Sequence, residues 1–162
     1  MLGTSVWINL LATEELEAIL HALAVPCHAP EQVIAEIRRH PVTGVTFPLH
    51  SHPLREMSGL AILSLELPEL ELFLEIVGAP VGDALGDGEA AAIAAAVSRG
   101  LDLVIDDRKA RRILRERFNQ IRTFWTVDLL QAHSVVNALV RRRADNCFAK
   151  ARQFGRMHLP RR

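Results

Sequence analysis

The feature that most constrains this chain is the alternation in its second half of short apolar runs with helical stretches. Glu89 opens an alanine-rich helix that Gly100 ends, a position suited to a left-handed cap. Leu101 to Ile105 then reads as a short buried strand whose carboxyl end meets Asp106-Asp107. Arg108 to Phe118 is a basic amphipathic helix, Ile121 to Trp125 another short strand, and Val127 to Val140 is largely helical. Strand and helix alternating at this spacing predict parallel strands joined by right-handed crossovers, hence an α/β class with a three-layer α/β/α arrangement around a central parallel sheet.

The first half reads less clearly. Thr13 is expected to cap a helix through Glu14 to Leu23, with Leu16, Ile19, Leu20 and Leu23 on one face. Pro30 is expected in the first turn of a second helix, with Val33, Ile34 and Ile37 inward and Arg38 and Arg39 at its end. His40 to Pro53 holds three prolines and reads as loop, which leaves the pair His50 and His52 solvent-exposed. Ala61 to Leu67 predicts a strand ended by Pro68, and Glu69 to Val77 a helix.

A chain of 162 residues can bury a core without a metal staple or disulfides, so a single domain over 1–162 is expected. Cys27 and Cys147 show no CxxC spacing and read as reduced, partly buried thiols, which favours a cytoplasmic setting. No apolar stretch is long enough to span a membrane, and Met1 to Ala12 lacks a basic leader, so no signal peptide is expected. The net charge of zero conceals a gradient. Residues 1–100 carry thirteen acids and four bases, whereas residues 141–162 carry eight bases and one acid. This basic segment, including Arg141, Arg142, Arg143, Lys150, Arg152 and Arg156, suggests contact with a polyanion or an acidic partner, or else a solvated helix face.

In an open parallel sheet the ligand site lies beyond the carboxyl ends of the strands, so the polar residues that follow each apolar run matter most. Met1-Leu2 leads to Thr4 and Ser5, Leu101 to Ile105 leads to Asp106 and Asp107, and Ile121 to Trp125 leads to Thr126 and Asp128. Glu36 and Glu89 can join from neighbouring helices. Carboxylates gathered in this way raise one another's pKa unless a cation joins them, and an all-oxygen set favours Mg²⁺ or Mn²⁺, the usual tools of phosphodiester hydrolysis. Each acid also has a structural reading. Asp107 and Asp128 precede helices and can be caps, Glu89 suits a first turn, and Glu36 can lie on a surface.

Four blocks carry a resemblance: Thr4 to Leu10, Val33 to Ile37, Gly88 to Ala94 and Leu103 to Arg108. In order and spacing, with Glu89 eighteen residues before Asp107, the chain resembles PIN domains, above all the small VapC-like toxins and their relatives. The resemblance implies a metal-dependent ribonuclease that uses Mg²⁺ or Mn²⁺, is usually a homodimer, and is often neutralised by a cognate antitoxin. It places Glu36, Glu89 and Asp107 at the second, third and fourth acidic positions, with Asp106 able to substitute and Asp128 as an extra contributor. Thr4, Ser5 and Arg141 to Arg143 are then expected to meet the RNA. The first acidic position departs from the pattern, because Gly3 stands where the family places an aspartate. A non-catalytic PIN-like binding module is the competing expectation.

Overall fold

The computed structural model describes residues 1–155 and 157–160, so Arg156 of the basic segment lies outside the described residues. Four short strands pair in parallel: β1 (Cys27–Pro30) with β2 (Leu60–Leu63), and β3 (Leu103–Val104) with β4 (Thr123–Phe124). The N-terminal residues join the two pairs. Leu2 N–H donates to His28 O at 3.0 Å, Gly3 N–H donates to Val104 O at 3.0 Å, and Val104 N–H donates to Met1 O at 2.9 Å. Leu2 and Val104 form a parallel bridge, so Met1 to Gly3 is the middle of the parallel sheet and Gly3 stands at its carboxyl end.

Helices α1 (Thr4–Ala12), α2 (Leu16–Leu23), α7 (Thr126–Leu130) and α8 (His133–Gln153) pack together, with α8 against the other three. Helices α3 (Glu31–Glu36), α4 (Leu67–Val77) and α5 (Asp87–Arg99) form a second group, in which α5 also lies on β1 and β3. Helix α6 (Arg108–Arg117) completes the crossover between β3 and β4. The alanines of α5 explain how it comes so close: Ala90 to Ala96 with Ile93 are fully buried, and small side chains let a helix lie between a sheet and two neighbours. Gly100 ends α5 at φ +62°, the left-handed cap expected of it. Trp7, Leu10, Ile34, Leu103, Ile105 and Leu139 fill the core from both layers. Among the described residues no helix is long and apolar enough to cross a membrane.

Several boundaries differ from the sequence reading. Thr13 does not cap α2. Its hydroxyl donates to Leu10 O at 2.6 Å and accepts from Glu15 N–H at 3.1 Å, so it closes α1, and the chain turns through Glu14 at φ +58° before α2 starts. Pro30 ends β1 and precedes the first turn of α3, because its extended backbone (ψ 155°) still belongs to the strand. Helix α4 takes in Leu67 and Pro68, since proline is tolerated in a first turn. The apolar stretch from Val127 does not stop at Val140. It divides at Gln131-Ala132, and α8 continues to Gln153 through a non-helical break at Val140. His52 is buried rather than exposed: its Nε2 lies 2.8 Å from Ile37 O and its Nδ1 accepts from Leu54 N–H, so the imidazole pins the proline-rich loop to the end of α3.

Candidate metal and nucleic-acid site

Glu36 and Glu89 meet where α3 and α5 converge beside Gly3. Glu36 Oε2 accepts from the Thr4 hydroxyl at 2.7 Å and Oε1 accepts from Gly88 N–H at 2.9 Å. Glu89 Oε1 accepts from Ser5 N–H at 3.3 Å. A Cβ built at Gly86 would lie 3.3 Å from Glu36 Oε1 and 3.9 Å from Glu89 Oε2, so both carboxylates crowd one glycine. Gly88 is the tightest contact. A Cβ there would overlap both the Thr4 hydroxyl and the Glu36 carboxylate, so only glycine lets α5 close onto α1 and α3 at this edge.

Burial raises the Glu89 carboxyl above its ordinary range, and the negative charge of Glu36 raises it further, with a smaller push from Asp107. None of the three acids forms an ion pair among the described residues. The edge is thus electronegative, with Glu89 half-buried beside the exposed Glu36, and a positive charge is what it lacks. Asp107 stands at the start of α6, where it accepts from Ala110 N–H at 2.7 Å, the helix-cap role its sequence position allowed.

The other two acids are separate from this pair. Asp106 is 1% exposed and fully engaged, accepting from Asn9 Nδ2 at 2.6 Å, Thr126 N–H at 2.8 Å and the Thr126 hydroxyl at 2.6 Å. It ties α1 to the ends of β3 and β4, which is a structural bracket rather than an open ligand. Burial still outweighs those three donors and raises its pKa. Beside it the Arg111 guanidinium donates to Ile105 O at 3.1 Å and Phe124 O at 2.9 Å, and lies 4.0 Å over the Trp125 ring. Asp128 is exposed and accepts from Trp125 N–H at 2.7 Å, so it serves the start of α7. The expected five-carboxylate cluster is therefore divided. Each acid of a strand end was free to turn toward the nearest unpaired N–H, and all three, Asp106, Asp107 and Asp128, did.

Among the described residues no three His, Cys, Asp or Glu side chains converge closely enough to hold a metal ion by themselves. The Glu36 and Glu89 pair nevertheless offers the donor chemistry of a hard divalent cation, since such ions are held by one or two carboxylates together with water and substrate phosphate. Gly3 adds no ligand. A Cβ at that position would have ordinary contacts, 3.5 Å from Ile105 Cγ1 and 3.7 Å from Val104 O, and its backbone (φ −77°, ψ 170°) suits any residue.

Of the other expected contacts, Thr4 and Ser5 do lie at this edge, but they orient the two glutamates. Arg143 is bound in a two-pronged ion pair to Glu15, and Lys150 to Glu14, so these two cations attach α8 to the start of α2. Arg141 and Arg142 are exposed. Sequence reasoning missed Asn9 and Thr126 as partners of Asp106. The available signal was Asn9 itself, a lone amide within the apolar stretch Val6 to Ala12.

A family model described as a PIN domain matches residues 2–139, which takes in Gly3, both glutamates, Asp107 and the strands β1 to β4. No curated protein and no solved structure matches the chain.

Proposed function

This chain belongs to the PIN-domain family, and on that premise we propose that its acidic edge binds Mg²⁺ or Mn²⁺ and hydrolyses RNA phosphodiesters as VapC-type ribonucleases do. The observation that carries the reading is the Glu36 and Glu89 pair, two carboxylates held together at the sheet's carboxyl edge with Glu89 pushed up by burial and by its neighbour. Such a pair is destabilised by mutual repulsion, which a bound divalent cation removes. When bound, the cation neutralises phosphate charge and acidifies the attacking water. Glu36 and Glu89 would hold it, with Asp107 adding negative potential from the start of α6. Thr4 O–H, Gly88 N–H and Ser5 N–H keep the carboxylate oxygens aimed at one place, so little reorganisation is needed on binding. Arg141 and Arg142 are candidates for distal phosphate contacts. A homodimer in the cytoplasm, restrained by a cognate antitoxin, completes this reading.

Gly3 favours a second one. With no carboxylate at the central strand end, the chain has the features of a PIN-like module that binds without cutting. EDTA-sensitive cleavage of single-stranded RNA by the parent itself separates the two, and the Gly3→Asp variant tests the metal site, because the Cβ it adds has room and the backbone needs no change. Calorimetric titration is expected to show tighter Mn²⁺ binding by Gly3→Asp than by the parent. Single-stranded RNA should then be cut in an EDTA-sensitive reaction that Asp107→Ala abolishes. If Gly3→Asp alters neither Mn²⁺ affinity nor cleavage across several RNAs, the binding module replaces the nuclease.

A further inference from the structure

Next to Glu36 lies a cleft of about 430 Å³ whose lining includes Ile8, Glu36, Ile37, Arg38, Arg39 and Phe154. Its composition differs from the other surfaces near the acidic edge, because it sets two arginines and an aromatic ring beside one of the paired carboxylates. We propose that this cleft seats a single-stranded nucleic-acid segment, with phosphates on Arg38 and Arg39 and a base against Phe154. Its placement next to the reacting edge rests on the nuclease reading above, whereas its binding chemistry stands on its own.

Three observations carry it. Arg38 and Arg39 are exposed and take part in no ion pair among the described residues, whereas Arg143 and Lys150 of the basic segment are bound to Glu15 and Glu14. Both arginines are held on ordered backbone. Phe47 N–H donates to Arg38 O at 2.8 Å, Arg39 bridges Thr46, and His40 N–H donates to Val45 O at 2.8 Å, so the guanidinium groups extend from a fixed base. Phe154 is 37% exposed although it is a large apolar ring, and it is fixed at the end of α8, where its N–H donates to Lys150 O at 2.9 Å. The following Gly155 N–H donates to Ala151 O at 3.1 Å, which completes the last turn.

Paired guanidiniums and an open aromatic face are the two elements that hold a single strand: charge for the backbone and a platform for a base. A duplex, whose bases are already stacked, cannot use the ring. The Glu36 carboxylate, which also lines the cleft, opposes an anion and so favours the strand lying with its phosphates toward the arginines. The strand would pass from the cleft directly to the Glu36 and Glu89 pair.

Fluorescence anisotropy with a short labelled single-stranded RNA, in EDTA so that no cleavage occurs, tests the proposal on the full chain. Arg38→Gln with Arg39→Gln should weaken binding and flatten the log affinity against log salt slope by about 1.4, two phosphates at roughly 0.7 each. Phe154→Ala should weaken binding about tenfold and leave the salt slope unchanged, the behaviour of a lost stacking contact. Arg141→Gln with Arg142→Gln, an equal loss of charge on α8, should have the smaller effect. Single-stranded DNA is expected to bind comparably and a duplex of the same sequence far more weakly. The four arginines are exposed, so unchanged melting temperatures are expected for their variants, whereas Phe154→Ala, which truncates a ring 37% exposed, should melt slightly lower and is identified by its unchanged salt slope. The proposal is overturned if the parent binds no single strand, if the cleft variants bind as the parent does, or if duplex binds equally well and ignores Phe154. Absence of Mn²⁺-dependent cleavage in both the parent and Gly3→Asp, with cleft binding intact, would remove the nuclease reading alone.

Discussion

Glu89 and Asp106 are both carboxyls drawn out of water at the same edge of the sheet, and burial pushes both pKa values up, but their surroundings differ in kind. Asp106 receives three donors from Asn9 and Thr126 and has the Arg111 guanidinium near it. Glu89 receives one long bond from Ser5 N–H and faces the carboxylate of Glu36. A buried charge surrounded by donors is a finished structural element. A half-buried charge facing its own kind is unfinished, and a proton or a cation stabilises it. The contrast separates two uses of acid at a strand end: Asp106 fastens helix to sheet, and Glu89 is left to take up a ligand.

Replacing Asp106 should therefore have the largest effect on stability. Asp106→Ala leaves the Thr126 hydroxyl and N–H without an acceptor inside the core and the Asn9 amide with only its 3.3 Å bond to the Thr126 hydroxyl, a loss of about 3 kcal/mol by analogy with other broken buried networks. Urea unfolding would measure it. If the variant unfolds at the parent's midpoint, Asp106 is no bracket and the division of the site into two parts fails. Next comes Gly88→Ala, whose added methyl overlaps the Thr4 hydroxyl and the Glu36 carboxylate; overpacking of this kind costs about 2 kcal/mol. It should also lower Mn²⁺ affinity, because Glu36 must move, whereas Gly86→Ala, with 3.3 Å to the same carboxylate, should do less on both counts.

The same contrast explains what could be read from sequence. The parallel α/β architecture was legible because hydrophobic period and the Gly100 stop are local properties, and Leu101 to Ile105 gave its position within a residue or two. The middle position of Met1 to Gly3 was not carried by periodicity, since three residues have no period; it follows from pairing with His28 and Val104, far away in sequence. Strand β1 was missed for a related reason: Cys27, His28, Ala29 and Pro30 have little strand character, and it is pairing with Leu60–Leu63 on one side and Leu2 on the other that makes them one. At the site, the spacing of Glu36, Glu89 and Asp107 placed the acids at one edge but could not say which oxygens would be occupied. Asp106 and Asp107 are neighbours in sequence, yet one turns inward to Thr126 and the other caps α6. That choice depends on where the nearest free N–H lies after folding. The Arg143 to Glu15 pair, joining residues 128 apart in sequence, was invisible in the charge gradient that suggested a free basic tail.

The smallest expected effect has the opposite sign. Glu89→Gln keeps an oxygen for Ser5 N–H and removes the charge that burial and Glu36 disfavour, so it should stabilise the protein by roughly 0.5–1 kcal/mol at pH 8, in line with other relieved charge conflicts. The pH dependence follows from the sign of the shift. The folded-state pKa of Glu89 lies above its unfolded value of 4.5, so the contribution of this carboxyl is fully present below pH 4.5 and is lost as pH rises through the folded value. The amide stays neutral throughout, so the advantage of Glu89→Gln should be present at pH 8 and vanish toward pH 4. Asp106 titrates in the same direction in both proteins and cancels in the difference. Saturating Mn²⁺ should then reverse the order. At one hundred times its Kd a cation adds about 2.7 kcal/mol to whichever protein binds it, and a neutral amide in place of the carboxylate offers the weaker ligand. Thermal melting at pH 4 and pH 8, with and without Mn²⁺, reads all four states. A Glu89→Gln protein that melts below the parent at pH 8 without cation would mean that the carboxylate is already compensated in the fold. Glu89 would then play the same bracing part as Asp106, and the edge would gain nothing from a cation.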